Sequence, residues 1–277
     1  MVLVGCQGGG SGYEGPAPVV EFDSVSMQVR MPLDRYGTSP AEERLLVGAR
    51  LVEYRNCMTQ AGVDPAWLDP DEVIAEALTR EELMPDWAFG FWNADYMAEN
   101  GFEGPPARQR NAESFSPEHL QAMEDPQSAF SQAWNLCSSA GSVKFAPVDD
   151  GMILAKWEVF VQGYRESNDK AEGDGRWKAA LKEWSDCLAG KGYPPPGDWA
   201  GFVLPEDTPA EVQAKSHVDS AQCSDDMGTA RKLAQVEAEY QMVYIAEHEA
   251  ELSEIQRMAR ELVAEAEALV EEAGFSW

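Results

Sequence analysis

Five cysteines, three histidines and 49 carboxylates are the residues of this 277-residue chain that could do chemistry. The histidines, His119, His217 and His248, are scattered, and none stands at metal-ligand spacing from a second His or Cys, so they read as surface side chains. Carboxylates are too abundant for spacing to single out an acid–base pair, and a glycoside hydrolase would need two held at a set separation in a cleft. One segment stands out, MPDWAFGFWNADYM at 84–97, where Asp86 and Asp95 lie among Trp87, Phe89, Phe91, Trp92 and Tyr96. Aromatic faces can stack on sugar rings, which makes Asp86, Trp87, Trp92 and Asp95 the candidate glycan contacts. The bland reading of the same residues is a loop plugging the core between helices. SNDKAEGDG at 167–175 has some likeness to a calcium loop, but its acidic spacing misses the required pattern, and a solvated turn is expected. No nucleophile elbow, phosphate loop or dinucleotide fingerprint occurs. With no catalytic constellation and no implied cofactor or metal, the expectation is binding rather than catalysis.

The cysteines are more informative. EYRNCMTQAG at 53–62 and EWSDCLAGKG at 183–192 share one pattern: Glu, an aromatic, any residue, Asn or Asp, Cys, Met or Leu, three residues, Gly. Each follows an amphipathic helical pattern, and each has a further helical cysteine downstream, Cys137 or Cys223. The simplest reading is two related halves meeting near residue 148, each with one disulfide, Cys57–Cys137 and Cys187–Cys223. Four cysteines permit three connectivities, so the motif favours this pairing without fixing it. A four-cysteine zinc site would draw on closely spaced CxxC pairs, of which there are none. A thiol nucleophile is the remaining alternative, and export would argue against it. Cys6 stands apart.

The elements that would position these groups are mostly helices. SPAEE at 39–43 supplies Ser39 as N-cap, Pro40 at the first helical position and Glu42 to close a capping box, with Gly62 as the stop. Asp69-Pro70 with Glu72, Ser116-Pro117 and Asp125-Pro126 repeat the device. Phe130, Ala133, Trp134, Cys137 and Ala140 share a face, as do Ile153, Trp157, Phe160, Val161 and Tyr164, and then Trp177, Leu181, Trp184 and Leu188. Strand candidates are confined to 19–22 and 25–31. From Ile245 through His248, Leu252, Ile255, Ala259, Leu262, Ala266 and Leu269 to Ala273 the steps alternate between three and four, a heptad seam. A helix over 229–273 would measure roughly 67 Å, more than the width of a globule of this size, so it must project, bend or fold back, with 223–228 the expected break. The seam reads as a helix packed on its own domain or, alternatively, as a coiled-coil or partner-docking surface. The fold class is therefore mainly α, a disulfide-stapled helical protein with a long C-terminal helix. Its expected regions are a tether at 1–18, a helical globular region at 19–206 and an acidic helix or helix pair at 207–277.

Formal charge at pH 7 is −28, which repels nucleic acid and anionic headgroups, so neither is expected as a partner bound by charge. No apolar run is long enough to span a bilayer. Leu3-Val4-Gly5-Cys6 resembles the bacterial lipobox, in which a signal peptidase cuts before the cysteine and the thiol carries a diacylglycerol. QGGGSGYEGPAP at 7–18 reads as the flexible spacer such an anchor needs. The basic and apolar regions of a signal peptide do not precede the box in this sequence.

MPLDRYGTSPAEERLLVGARLVEYRNCMTQAG (31–62), FWNADYMAENGF (91–102), RWKAALKEWSDCLAGKGY (176–193) and the helical cysteine in HVDSAQC together resemble a group of uncharacterised, exported actinobacterial lipoproteins. The resemblance implies a secreted helical protein, lipid-anchored at Cys6 to the outer face of the cytoplasmic membrane. It implies no activity. The functional expectation is a binding or accessory component of the cell envelope, the alternative a wall-directed glycan binder or hydrolase using 84–97.

Overall fold

The computed structural model describes residues 10–63, 70–79, 86–101, 125–138, 144–145, 151–194, 204 and 208–277. Among them the fold is mainly helical, with two short strands. The chain forms two compact units, and neither is a continuous stretch of sequence. Unit 1 takes Met1–Asp34, Met84–Pro106 and Val161–Glu249; unit 2 takes Arg35–Leu83, Ala107–Phe160 and Ala250–Trp277. This division differs from the sequential one expected, because the elements that share a core come from three separate parts of the chain in each unit. Each unit nevertheless holds one cysteine pair.

Unit 1 begins with an antiparallel hairpin, β1 (Glu21–Asp23) and β2 (Gln28–Arg30), with Phe22 opposite Val29. Asp23 shapes the tip by accepting the Val25 and Ser26 amides at 2.9 and 3.2 Å. Met27 then turns through a left-handed φ of 56°, unusual for a residue with a side chain, and that side chain is buried. The helices wholly in unit 1 are α3 (Ala94–Asn100), α6 (Gly175–Gly190) and α7 (Ala210–Met227). Trp177, Leu233, Ala234, Phe89, Trp92 and Met27 belong to its main core cluster.

Unit 2 contains α1 (Pro40–Gln60), α2 (Pro70–Thr79) and α4 (Ala129–Ser138). The capping box at the start of α1 forms as expected: Ser39 Oγ accepts the Glu42 amide at 3.3 Å and Glu42 Oε2 accepts the Ser39 amide at 2.6 Å. Gly48 lets α1 approach α2 closely, since a Cβ there would sit 2.4 Å from Leu78 Cδ2. At Asp125-Pro126 the chain makes a turn rather than a helix start; Ser128 Oγ instead accepts the Ser131 amide at 3.0 Å at the head of α4. Asp69, Ser116 and Pro117 lie outside the described residues.

Two helices contribute to both units, α5 (Gly151–Gly173) and α8 (Thr229–Glu272). SNDKAEGDG is not the solvated turn expected. Ser167–Gly173 complete α5, with Ser167 and Ala171 buried, and Asp174 is the buried N-cap of α6. The expected break between α7 and α8 occurs at Gly228, whose φ of 62° is the left-handed C-cap geometry glycine adopts without steric cost. A second break was not foreseen: the backbone of α8 leaves helical geometry at His248, whose ring stacks on Tyr244 with centroids 4.3 Å apart. The heptad seam is turned inward. Ile245, Leu252, Ile255, Ala259 and Ala266 are buried, and Ala266 and Val270 pack with Leu45, Ala49 and Val52 of α1 in unit 2. Its main apolar positions thus serve the protein's own core.

Candidate functional site

The residues that the sequence put forward have separate fates. Cys57 is bonded to Cys137 and Cys187 to Cys223, with Cα–Cα separations of 5.9 and 5.8 Å. Each bridge pins the C-terminal part of a motif-bearing helix, α1 or α6, to a second helix, α4 or α7. Cys6 lies outside the described residues.

The 84–97 aromatics fill the interior. Trp92 is 5% exposed, meets Phe22 edge-on at 5.1 Å and donates its indole N–H to the Asp86 carbonyl at 3.0 Å. Phe89 is buried against Trp177. Trp87 is half-buried, edge-on to Phe91 and Tyr96, while Asp95 is exposed in the first turn of α3. A sugar-stacking platform needs an open ring face, and Trp92 offers none; of the four candidate contacts, only Asp95 is exposed.

What the structure does bring together is a group of carboxyls inside unit 1 that sequence spacing could not associate. Asp34 accepts a hydrogen bond from the Tyr164 hydroxyl of α5, and its other oxygen accepts the Met31 amide at 2.5 Å. Glu237 of α8 is 5% exposed; its carboxylate accepts Gln241 Nε2 at 2.9 Å and Asn168 Nδ2 at 3.4 Å. Gln241, fully buried, accepts the Leu33 amide at 3.1 Å through its side-chain oxygen. Asp86 is fixed at both ends of its residue, its amide donating to the Met27 carbonyl at 2.8 Å and its Oδ1 accepting the Ala88 amide at 2.9 Å. The unusual backbone at Met27 thus carries the carbonyl that receives Asp86.

Burial sets the electrostatics of this group. It pushes Glu237 up to about 6; the bonds from Gln241 and Asn168 oppose the shift, and the charges of Asp86 and Asp34 reinforce it. Burial likewise raises Asp34, against the Tyr164 hydrogen bond, the Met31 amide and Arg30. Asp86 is raised by burial and by Asp34, against its bond from the Ala88 amide. Tyr164 is pushed above its ordinary value by burial and by the charge of Asp34. Glu237 can therefore take up a proton near pH 6, and Asp34 and Asp86 hold a proton more readily than an exposed aspartate does. Among the described residues, no group of three or more His, Cys, Asp or Glu side chains is placed to hold a metal ion. One signal in the sequence pointed here: Leu233, Glu237 and Gln241 recur at helical spacing, a polar pair on an otherwise apolar stripe.

A second polar network ties down the chain start. Asp174, 4% exposed, accepts the Arg176 amide at 2.7 Å, Arg176 Nη2 at 2.9 Å and the Tyr240 hydroxyl at 3.2 Å. Burial alone would raise its carboxyl, but these bonds and the Arg176 charge outweigh burial and hold it below the usual range. Arg176 reaches on to Glu239, and Glu239 accepts Ser11 Oγ at 2.8 Å. Part of the expected spacer is therefore docked on α8.

No protein-family model, curated protein or solved structure matches this chain.

Proposed function

We propose that the protein is a lipid-anchored, extracytoplasmic binding or accessory component of the cell envelope. The observation that carries this reading is the state of the cysteines: one disulfide in each unit, and the fifth cysteine alone in a lipobox-like tetrapeptide. Paired cysteines persist in oxidising compartments and are rare in a reducing cytosol. A diacylated Cys6 would hold the protein on the outer face of the cytoplasmic membrane, and two chains anchor stably where one does not.

The accessory role needs a contact surface, and with the apolar seam of α8 buried, that helix offers its exposed charged side chains. Among these, carboxylates outnumber bases, and Arg257 pairs with Glu254 and Glu261. In unit 2 the carboxylates include Glu251, Glu254 and Glu261, suited to a basic face of an envelope or transporter protein. Deleting α8 would be an uninformative test, because Leu233, Ala234, Ala266 and Val270 belong to the cores of the two units.

The direct test is mass spectrometry of native protein from fractionated cells. A membrane-bound species with diacylglycerol on Cys6 and four oxidised cysteines is expected, with Cys6→Ser releasing the protein from the membrane. Five unmodified thiols in a cytosolic fraction would overturn the proposal. Triple charge reversal at Glu251, Glu254 and Glu261 should then abolish co-purification of the partner, the thermal transition shifting little because the two Arg257 pairs that are lost are solvent-exposed.

A further inference from the structure

We propose that the end of unit 1 bearing the turn between α5 and α6 faces the lipid surface, an inference that rests on the acylation of Cys6 proposed above. The residues after the glycine run are held in place. Ser11 bonds Glu239, the Tyr13 amide donates to Ser11 Oγ at 3.3 Å, and Pro18 is buried. Further along, the Arg231 guanidinium carbon lies 4.7 Å from the Phe22 ring centroid. The segment thus follows α8 back from Glu239 to Arg231, about 12 Å of helix. Helix α6 runs antiparallel to the same stretch, Arg176 meeting Glu239 at one end and Glu183 meeting Lys232 at 2.5 Å towards the other. Ser11, Glu239 and the start of α6 therefore lie at one end of unit 1.

The length of the tether follows. Whatever path the chain takes from Cys6 to Ser11, that stretch spans at most about 18 Å. Had the spacer been loose as far as Pro18, the reach would be about 40 Å. A glyceride in the bilayer therefore draws the Ser11 end to within a short distance of the headgroups. The cations at this end are largely paired, Lys170 with Glu166, Arg176 with Asp174 and Glu239, and Lys182 with Asp186, so the short tether rather than charge sets the orientation. Lys178 is exposed, and its ammonium donates to the Gly173 carbonyl at 2.9 Å, which places its charge at the turn. At the opposite end of α6, roughly 20 Å along the helix axis, Lys191 and Lys215 share Asp219.

The experiment uses the full chain with both bridges formed, coupled through Cys6 to a maleimide lipid in vesicles of phosphatidylcholine and anionic phosphatidylglycerol. Lysine acylation by a membrane-impermeant reagent is read by mass spectrometry for tethered and untethered protein. Lys170 and Lys178 should lose reactivity several-fold on tethering, while Lys191 and Lys215 keep theirs. Ser11→Ala, which lengthens the free tether without touching the core, should restore the reactivity of Lys170 and Lys178. Unchanged reactivity at these two lysines, equal protection of all four, or protection that survives Ser11→Ala would overturn the proposal. Because this tether is chemical, orientation is read independently of what the cell attaches to Cys6. Native protein lacking the glyceride would remove the acylation reading and the native orientation that rests on it, whereas failure with the chemical tether would remove the orientation and leave the acylation standing.

Discussion

Unit 1 and unit 2 carry the same device, a cysteine on a helix of the EYRNC or EWSDC type bridged to a second helix, yet they stabilise themselves differently. The core of unit 2 around α1 is apolar: Leu45, Ala49, Val52, Ile74, Leu78, Ala266 and Val270. Its ion pairs Arg260–Glu42 at 2.5 Å and Arg55–Asp71 at 2.6 Å each have one solvent-exposed partner, Arg260 and Asp71. Unit 1 instead places Glu237, Gln241, Asn168, Asp34 and Tyr164 in one buried or half-buried network. An apolar core responds to temperature and denaturant but barely to pH. A core containing carboxyls that would rather be protonated is sensitive to acidity as well. The buried carboxyls place a response at mildly acidic pH in unit 1. In unit 2, Glu42, whose burial is outweighed by its Ser39 hydrogen bonds and the Arg260 charge, is held below the usual range and responds only in stronger acid.

The bridges give the largest expected effects and the first way to break the comparison. The Cys57–Cys137 bridge spans 80 residues and the Cys187–Cys223 bridge 36. In the loop-entropy picture they contribute about 4.5 and about 4 kcal/mol respectively. Replacing each pair with serine and titrating with denaturant should show two large losses, the unit 2 pair slightly the larger. Equal retention of stability in both variants would mean that the bridges constrain little.

Core truncation comes next. Leu45→Ala in unit 2 and Leu233→Ala in unit 1 each remove a fully buried side chain, and each should cost about 3 kcal/mol in denaturant unfolding. Domain-resolved hydrogen exchange should place each loss in its own unit. Loss of protection spread evenly over both would show that the two units unfold as one.

The pH response sharpens the contrast most. Burial pushes Glu237 up to about 6 in the folded protein from its ordinary 4.5, so the folded state holds its proton more tightly than the unfolded chain. Its contribution is therefore fully present below pH 4.5 and is lost as pH rises through about 6, a change of about 2 kcal/mol. Asp34 and Asp86, also raised, act in the same direction. Glu237 should make unfolding of unit 1 harder at pH 5 than at pH 7, opposed by His217, which burial holds below its ordinary value. Glu237→Gln should therefore lower unit 1 stability at pH 5 relative to pH 7 compared with the unmodified protein, without altering unit 2. A pH dependence that survives the substitution unchanged would place the titrating groups elsewhere. The smallest expected effect is at the α1 cap: Ser39→Ala should lower unit 2 stability by about 1 kcal/mol in the same denaturant assay.

Legibility followed the range of the interaction. The start of α1 was readable because its capping box closes within four residues, and the cysteine pairing because the repeated motif marks equivalent helices. The 167–175 stretch was misread because its polar letters suggested solvent, whereas Ser167, Ala171 and Asp174 are buried. The aromatics at 84–97 could be weighed as platform or plug, but only packing against Phe22 and Trp177 placed Trp92 and Phe89 inside. Glu237 was lost among 49 carboxylates, though its spacing from Leu233 and Gln241 on one helical face was available.

Local sequence was enough for the helical class, the capping of α1 and a break within 223–228, and it favoured one cysteine pairing of three, because each depends on backbone hydrogen bonding over a turn or two or on a local repeat. Folding alone settled that each unit is assembled from three separate parts of the chain, that the heptad seam turns inward, and that Asp34, Asp86 and Glu237 share one poorly solvated environment. Those outcomes depend on which distant segments exclude water from a side chain. Tyr164 lies 130 residues from Asp34, and Leu33 lies 208 from Gln241. Desolvation at that range is a property of the assembled core, and no local pattern of residues encodes it.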